Sequence, residues 1–326
     1  MSTRFDFQGF SGAHDRLIAE YRGGRASHAL LLCGSSGMLK NDFARYLANI
    51  LLCQAASGDR PCGSCPSCLR FETGKHGNLL ALGLSPGAKT IKIDQLRSLL
   101  NALSLHPLES GPRVILLSDI HAMTMQAQNA LLKSLEEPLA QDYYLITCDN
   151  EQAVLPTIIS RCSQVRLPAL DEKAMEARLK QSGLDAEEAA ALSGLTGGRL
   201  GYALDISRDT AYSDLKALAE KTIFQVRKFS DIPAASILLK DARDSADLLL
   251  DLLEEETRHS LACRYLGSAE KRPAVRWASV DSSALKRVLE AVFEARKYKA
   301  SNVSWQAIVD RLLFTITKEI YQCQWS

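Results

Sequence analysis

The sequence has no apolar run that approaches the roughly 18–20 residues needed to cross a membrane. Its N-terminus, MSTRFDFQGF, lacks the apolar segment of a secretory signal. An excess of one charge is also missing, since 39 Lys and Arg residues face 38 Asp and Glu residues. This balance excludes a globally basic coat for nucleic acid, although a local basic patch stays open. We therefore expect a cytoplasmic protein with no membrane partner, where disulfides rarely persist.

The first half of the chain alternates short apolar runs with helical patterns. A length of 326 residues exceeds what one core usually holds, and 46% hydrophobic with 24% charged residues is typical of a globular protein. Strands that alternate with helices predict an α/β domain with a mainly parallel sheet, covered on both faces. The predicted strands are 28–33, 79–82, 113–117, 143–147 and 164–167.

After residue 168 the patterns become helical. Glycines, among them Gly194, are predicted to separate short helices between 171 and 205. Apolar residues at helical spacing over 285–293 and 305–316 predict two longer helices, and no strand is expected. We predict three units: an α/β domain at 1–168, a small helical domain at 169–205 and an all-α C-terminal domain at 206–326.

Four of the nine cysteines lie within one window of 16 residues, where random placement would put about 0.4. The spacing C-x8-C-x2-C-x2-C allows four thiolates to converge on one ion, which favours zinc. A closed shell of four sulfur ligands leaves no position for water, so the ion is predicted to be structural. A cluster of free thiols and an iron–sulfur cluster are the alternatives. The candidate ligands are Cys53, Cys62, Cys65 and Cys68.

A loop after the first predicted strand has the position and length of a P-loop, G-x-x-x-x-G-K-[ST]. Gly34 and Lys40 match the pattern, and Gly37 lies between them. Leu39 stands where the second glycine belongs and crowds the approach of phosphates to the backbone. Asn41 replaces the hydroxyl residue that binds magnesium. The loop is therefore predicted to be a vestigial nucleotide site formed by Gly34, Gly37 and Lys40.

The strand predicted at 113–117 should end in the acidic pair of such a site. Ser118 stands where an aspartate would hold the metal, and Asp119 stands where a glutamate would activate water. Two weakened half-sites at matching places predict a nucleotide site that has lost its chemistry. Retained nucleotide binding through Lys40 is the alternative.

Two motifs identify a family. Residues 129–138 read NALLKSLEEP and residues 160–162 read SRC. With SHA at 27–29, IKIDQLR at 91–97 and the inserted cysteine window, residues 1–205 resemble the bacterial clamp-loader branch of the AAA+ proteins. This resemblance implies an AAA+ P-loop-type parallel sheet with an inserted zinc knuckle, a small helical lid and an all-α C-terminal collar.

The resemblance also implies a function. In this family, five subunits form an open ring that loads a sliding clamp onto primer–template DNA. The weakened P-loop implies a member that does not hydrolyse ATP. Its partners would be motor subunits of the tau/gamma type and a delta subunit, and it would meet the clamp and the DNA through the complex. Arg161, the SRC arginine, would then be an arginine finger that reaches the ATP site of a neighbouring motor subunit.

Alternatives accompany each of these assignments. Without the resemblance, Arg161 is more typical of a strand-edge arginine paired with an acid on its own subunit. Thr147 stands where the family has a polar sensor, and a purely structural role is the alternative. Arg199 stands where a second sensor lies in related ATPases, but a solvated or interface arginine is favoured. The basic residues of 285–299 suggest either a DNA surface or, because glutamates are interleaved, a collar face. For the chain as a whole, two other functions stay open: an ATP-hydrolysing subunit of the tau/gamma type and a zinc-bearing DNA-binding module.

Overall fold

A computed structural model describes residues 7, 10–55, 60–85, 87–104, 110–138, 141–208, 210–266, 276–277, 279–301 and 303–322. The chain divides into two compact units, Met1–Ala174 with Gly198–Tyr202, and Met175–Gly197 with Ala203–Ser326. The three-domain division stays a prediction. Among the helices of the described ranges, none combines the length and apolar character that crossing a bilayer requires.

The first unit is built on a five-stranded parallel sheet. Its strands are β1 (Ala29–Cys33), β2 (Leu79–Leu82), β3 (Arg113–Leu117), β4 (Asp142–Cys148) and β5 (Ser163–Arg166). They lie in the order β2-β3-β4-β1-β5. Every residue of β1 and β3 is buried, as expected for strands covered on both faces. The predicted α/β class, with a parallel sheet, an inserted cysteine cluster and a helical C-terminal part, is confirmed.

Helices cover both faces of this sheet. They are α1 (Gly12–Arg22), α2 (Lys40–Leu52), α3 (Pro66–Glu72), α4 (Ile93–Ser104), α5 (Met125–Glu136) and α6 (Pro156–Ile159). Side chains of α4 and α5 share one core with alternate residues of the strands, and α2 packs on β1, β3 and β4. Thr124 caps α5 by accepting a hydrogen bond from the Ala127 N–H, and the helix ends at Glu136, two residues before Pro138.

After β5, the described residues lie mainly in helices. The helices are α7 (Glu172–Gln181), α8 (Ala186–Thr196), α9 (Leu200–Arg208), α10 (Thr210–Lys221), α11 (Ile232–Leu239), α12 (Ala246–Leu266), α13 (Ser282–Ala300) and α14 (Trp305–Ile316). All six apolar residues that predicted α14 are buried. The predicted break at Gly194 is wrong, because Gly194 lies inside α8. A helical glycine costs about 1 kcal/mol, which burial of the flanking Leu192 and Leu195 outweighs.

The basic residues of α13 are largely paired within the second unit. Arg296 contacts the carboxylates of Asp251 and Glu254, and Arg287 contacts Glu319 at 2.6 Å. Lys299 lies 2.6 Å from a carboxylate oxygen of another residue of α12, Asp247. These ion pairs neutralise much of the positive charge that had suggested a DNA surface.

Candidate functional site

Three loops meet at the carboxyl edge of the sheet. The P-loop-like segment follows β1, Ser118 and Asp119 follow β3, and Asp149 follows β4. The sheet order places β1 beside β4 and β4 beside β3, so the three strand ends are neighbours. Ligands of open parallel sheets bind outside these ends. The structure therefore brings the predicted half-sites together.

Gly37 and Leu39, in the loop after β1, have positive φ values. Leu39 has φ +56°, in the left-handed region that favours glycine. Gly37 has φ +79°, and its carbonyl accepts a hydrogen bond from the Tyr202 N–H at 3.2 Å. A Cβ atom added to Gly37 would lie 2.7 Å from the Tyr202 Cβ. Residues Gly198–Tyr202 therefore pack directly on the loop. Arg199, the second-sensor candidate, lies over the Tyr202 ring at 4.6 Å.

Lys40 is buried, and its ammonium group is engaged by its own chain. The Nζ atom lies 2.6 Å from the Asp149 carboxylate and donates to the Ser35 carbonyl at 2.6 Å. Only 5% of Lys40 is exposed. In a working P-loop this charge faces the β- and γ-phosphates. In this chain the Asp149 carboxylate neutralises the charge of Lys40 instead.

Thr147, the sensor candidate, is also engaged internally. Its hydroxyl donates to Asn41 Oδ1 at 2.6 Å and accepts from the Asp119 N–H at 3.0 Å. Thr147 is completely buried. Because a hydroxyl has a single proton to donate, this one is committed to Asn41. The residue that replaced the magnesium ligand thus ties α2 to β4.

Asp119, His121 and Asp149 form a second cluster of possible metal ligands, with ligand atoms within 4.8 Å of one another. His121 Nδ1 accepts a hydrogen bond from the Asp149 N–H at 3.2 Å, so this nitrogen is occupied. The ammonium group of Lys40 already supplies a cation to Asp149. Within this cluster, Asp149 is therefore the partner of Lys40.

We expect Lys40→Ala to lower the stability of the isolated chain by about 1–3 kcal/mol, because it leaves the Asp149 carboxylate without its buried partner. Urea unfolding measures the change. Lys133→Ala, at an exposed position of α5, removes the same charge and is the control. Equal stabilities of the two variants would contradict the internal role of Lys40.

Arg161 lies at the surface, two residues after α6. Its Nη2 forms an ion pair with Glu136, the last residue of α5, and its Nη1 donates to the Thr157 carbonyl at 2.8 Å. The side chain of Arg161 is 35% exposed. In the single chain, then, the arginine adopts the alternative arrangement, paired with an acid of its own subunit.

The four candidate cysteines come together. Their sulfur atoms lie within 4.8 Å of one another, and the Sγ atoms of Cys62 and Cys68 are 4.0 Å apart. Zn–S bonds of about 2.3 Å in a tetrahedron place sulfurs about 3.8 Å apart, so the cluster has the size of a metal site. The four cysteines can therefore bind a metal ion.

Backbone N–H groups stabilise the thiolate forms of these sulfurs. Hydrogen bonds from the N–H groups of Ser64 and Cys65 lower the pKa of the half-buried Cys62 thiol to about 6. The Cys68 N–H donates to Cys65 Sγ at 3.4 Å, where Cys65 caps α3. Burial raises the pKa of the Cys68 thiol, and a bound cation would offset that cost.

The sequence interpretation missed three partners in these sites: Asp149, Tyr202 and Glu136. Asp149 carried a detectable signal, since an acid directly after a strand reaches the same sheet edge as the P-loop lysine. Glu136 belongs to the NALLKSLEEP motif, but no spacing rule connects it to Arg161. Tyr202 carried no signal, because its contact depends on how the chain returns after α8.

Comparison with known proteins decides the family. The family model described as "DNA polymerase III, delta subunit" matches residues 11–171. The delta′ subunit of DNA polymerase III from Bacillus subtilis is 30% identical over 307 residues, which cover 90% of this chain and 91% of that protein. The chain belongs to the DNA polymerase III delta′ subunit family. It is thus a subunit of the clamp-loader type, as the motifs predicted.

A second delta′ protein and a tau protein each match a little under half of this chain. Delta′ from Escherichia coli is 34% identical over 148 residues, 45% of this chain and 44% of that protein. The tau subunit from the same organism is 34% identical over 157 residues, 48% of this chain and 24% of that protein. A crystal structure of a gamma-subunit-related protein from Thermotoga maritima shares the fold, with a TM-score of 0.51 at 17% identity, over 94% of this chain and 99% of that one.

Proposed function

We propose that this delta′-family chain is a clamp-loader subunit that does not hydrolyse ATP and that supplies Arg161 to the ATP site of a neighbouring motor subunit. The observation that carries the proposal is the internal engagement of Lys40 by Asp149 beside the weakened P-loop. A nucleotide would have to displace that carboxylate, and magnesium would find Asn41 in place of a hydroxyl ligand.

Other contacts support the same reading of the vestigial site. The Thr147 hydroxyl is committed to Asn41, so it has no proton for a γ-phosphate or for a water molecule. Tyr202 packs on Gly37, where a P-loop leaves its backbone open to phosphates. In both contacts, groups that would face a nucleotide are bound by other residues of the same chain.

Arg161 is the group through which the chain acts on its neighbour. Its guanidinium lies at the surface and belongs to the SRC motif. A guanidinium placed at a neighbour's γ-phosphate stabilises the charge that develops in the transition state, which typically accelerates hydrolysis about 10³–10⁵-fold. The fork of donors on arginine suits phosphate oxygens better than lysine does.

For the cysteine cluster we propose one structural zinc ion, held by Cys53, Cys62, Cys65 and Cys68. Thiolates favour zinc, and four of them close the tetrahedral shell. The cluster joins the end of α2 to α3, so the ion would fix the segment between these two helices. Zinc here would supply folding energy and leave catalysis to other groups.

Residues 206–326 would serve as the collar. Helices α10–α14 share one apolar core, and ion pairs occupy most of the basic side chains of α13. The partners we propose are tau/gamma-type motor subunits and a delta subunit. The sliding clamp and primer–template DNA would be met through the assembled complex.

A second candidate, an ATP-hydrolysing tau/gamma-type subunit, is favoured by the match to tau. Steady-state turnover of Mg–ATP by the isolated chain distinguishes the two candidates. We expect no hydrolysis that depends on Lys40, so the original chain and Lys40→Ala should give the same background rate. Turnover at the rate of a motor subunit, lost in Lys40→Ala, would exclude the proposed function.

A further inference from the structure

Both terminal nitrogens of the Arg161 fork are already bound within the chain. Nη2 pairs with the Glu136 carboxylate, and Nη1 donates to the Thr157 carbonyl at 2.8 Å and to the Ser160 hydroxyl at 3.4 Å. The Thr157 carbonyl lies four residues back along the chain, so the side chain folds back over the end of α6. A finger, by contrast, has to present these nitrogens to another subunit.

The Glu136 carboxylate, which binds the Arg161 guanidinium in this structure, is chemically similar to the ATP phosphate that an arginine finger binds. Carboxylate and phosphate oxygens both take charge-assisted hydrogen bonds from guanidinium, with similar geometry. The Glu136 carboxylate is also negative, so it repels a phosphate that approaches Arg161. Glu136 therefore opposes the binding of Arg161 to a phosphate in two ways. It occupies the N–H donors of the guanidinium, and its negative charge repels the phosphate.

We propose that Glu136 is a positioning residue that holds Arg161 back on its own subunit and competes with the neighbour's ATP for the guanidinium. This inference rests on the proposed finger role of Arg161. When ATP fills the neighbouring site, the Arg161 guanidinium would leave Glu136 and bind the phosphate. The strength of the pair with Glu136 would set the free energy that this transfer requires.

The solvent exposure of the Arg161 and Glu136 side chains sets how strongly their ion pair affects the finger. The side chains of Arg161 and Glu136 are 35% and 47% exposed, and pairs with this degree of exposure contribute little because water and salt screen them. Loss of such a pair changes an equilibrium by a factor of about two to five. Glu136 is thus a weak competitor, and its influence declines as ionic strength rises.

The test uses the clamp loader assembled from this chain and the motor and delta subunits of the same genome. Glu136→Gln keeps the shape of the side chain and removes its charge. We expect kcat/KM for ATP to rise about two- to five-fold at low salt, and the gain to shrink as salt is added. A merely structural role for Glu136 would instead lower kcat/KM and the thermal stability of the chain.

Glu137→Gln is the matched control, because it removes the same charge from the neighbouring exposed residue. A second control places Glu136→Gln in the Arg161→Ala chain, where no gain is expected. If Glu136→Gln behaves like Glu137→Gln, or lowers kcat/KM, the competition is refuted while the finger role stands. If Arg161→Ala itself leaves turnover unchanged, the finger role and this inference both fail.

Discussion

Arg161→Ala is expected to abolish the contribution of this chain to ATP turnover in the assembled clamp loader. At the site that the arginine enters, the hydrolysis rate should fall about 10³-fold or more, because the transition-state charge loses its guanidinium partner. Total clamp-stimulated turnover should then fall to what the remaining sites supply. Steady-state phosphate release with clamp and primed DNA present measures the loss. The variant should fold and assemble normally, because Arg161 lies at the surface.

Two further variants separate a finger from a general surface charge. Arg161→Lys keeps the positive charge without the planar fork, so most of the rate should still be lost. Arg166→Ala removes an exposed arginine of β5 that pairs with Glu151, and it should leave turnover unchanged. If Arg161→Ala and Arg166→Ala give the same rate, Arg161 is not the finger.

Removal of metal is expected to have the largest effect on stability. Protein purified under reducing conditions should contain about one zinc ion per chain, measured by elemental analysis. Binding to a four-thiolate site contributes directly to folding, so chelation should destabilise the first unit by at least about 3 kcal/mol. For a unit of this size that lowers the melting temperature by about 6–12 °C, which calorimetry measures.

Cys68→Ser should reproduce the effect of the chelator, because Cys68 is a buried member of the cluster. Cys162→Ser replaces a cysteine outside the cluster and is the control. Chelation should not affect the Cys68→Ser protein further. Metal-free protein with an unchanged melting temperature would refute the zinc site. Detection of a bound iron–sulfur cluster would show that the four cysteines hold that cofactor instead of zinc.

Local patterns predicted most of the first unit. The predicted strands at 79–82 and 113–117 have the observed bounds, because both contain short apolar runs. β3 is buried on both faces, whereas β2 is a partly exposed strand at the edge of the sheet. The cysteine cluster was equally accessible, since short C-x2-C steps force their sulfurs together. Both signals depend on neighbours in sequence.

Contacts between distant residues were harder to predict. The pair of Lys40 and Asp149 depends on the sheet order, which places β1 beside β4. Gly194 was expected to end a helix from its low propensity alone, whereas packing of the residues around it decides the matter. Phe293 follows the apolar spacing of α13 but is 40% exposed, because spacing locates a helical face and not its outer margin.

The central claim is that the chain acts through a neighbour's nucleotide site and not through its own. Clamp-stimulated ATP turnover of one assembled complex, carrying either Lys40→Ala or Arg161→Ala in this chain, tests it most directly. We predict that Lys40→Ala leaves turnover unchanged and that Arg161→Ala lowers it to the rate of the remaining sites. The opposite pattern, with turnover lost in Lys40→Ala and retained in Arg161→Ala, would contradict the claim.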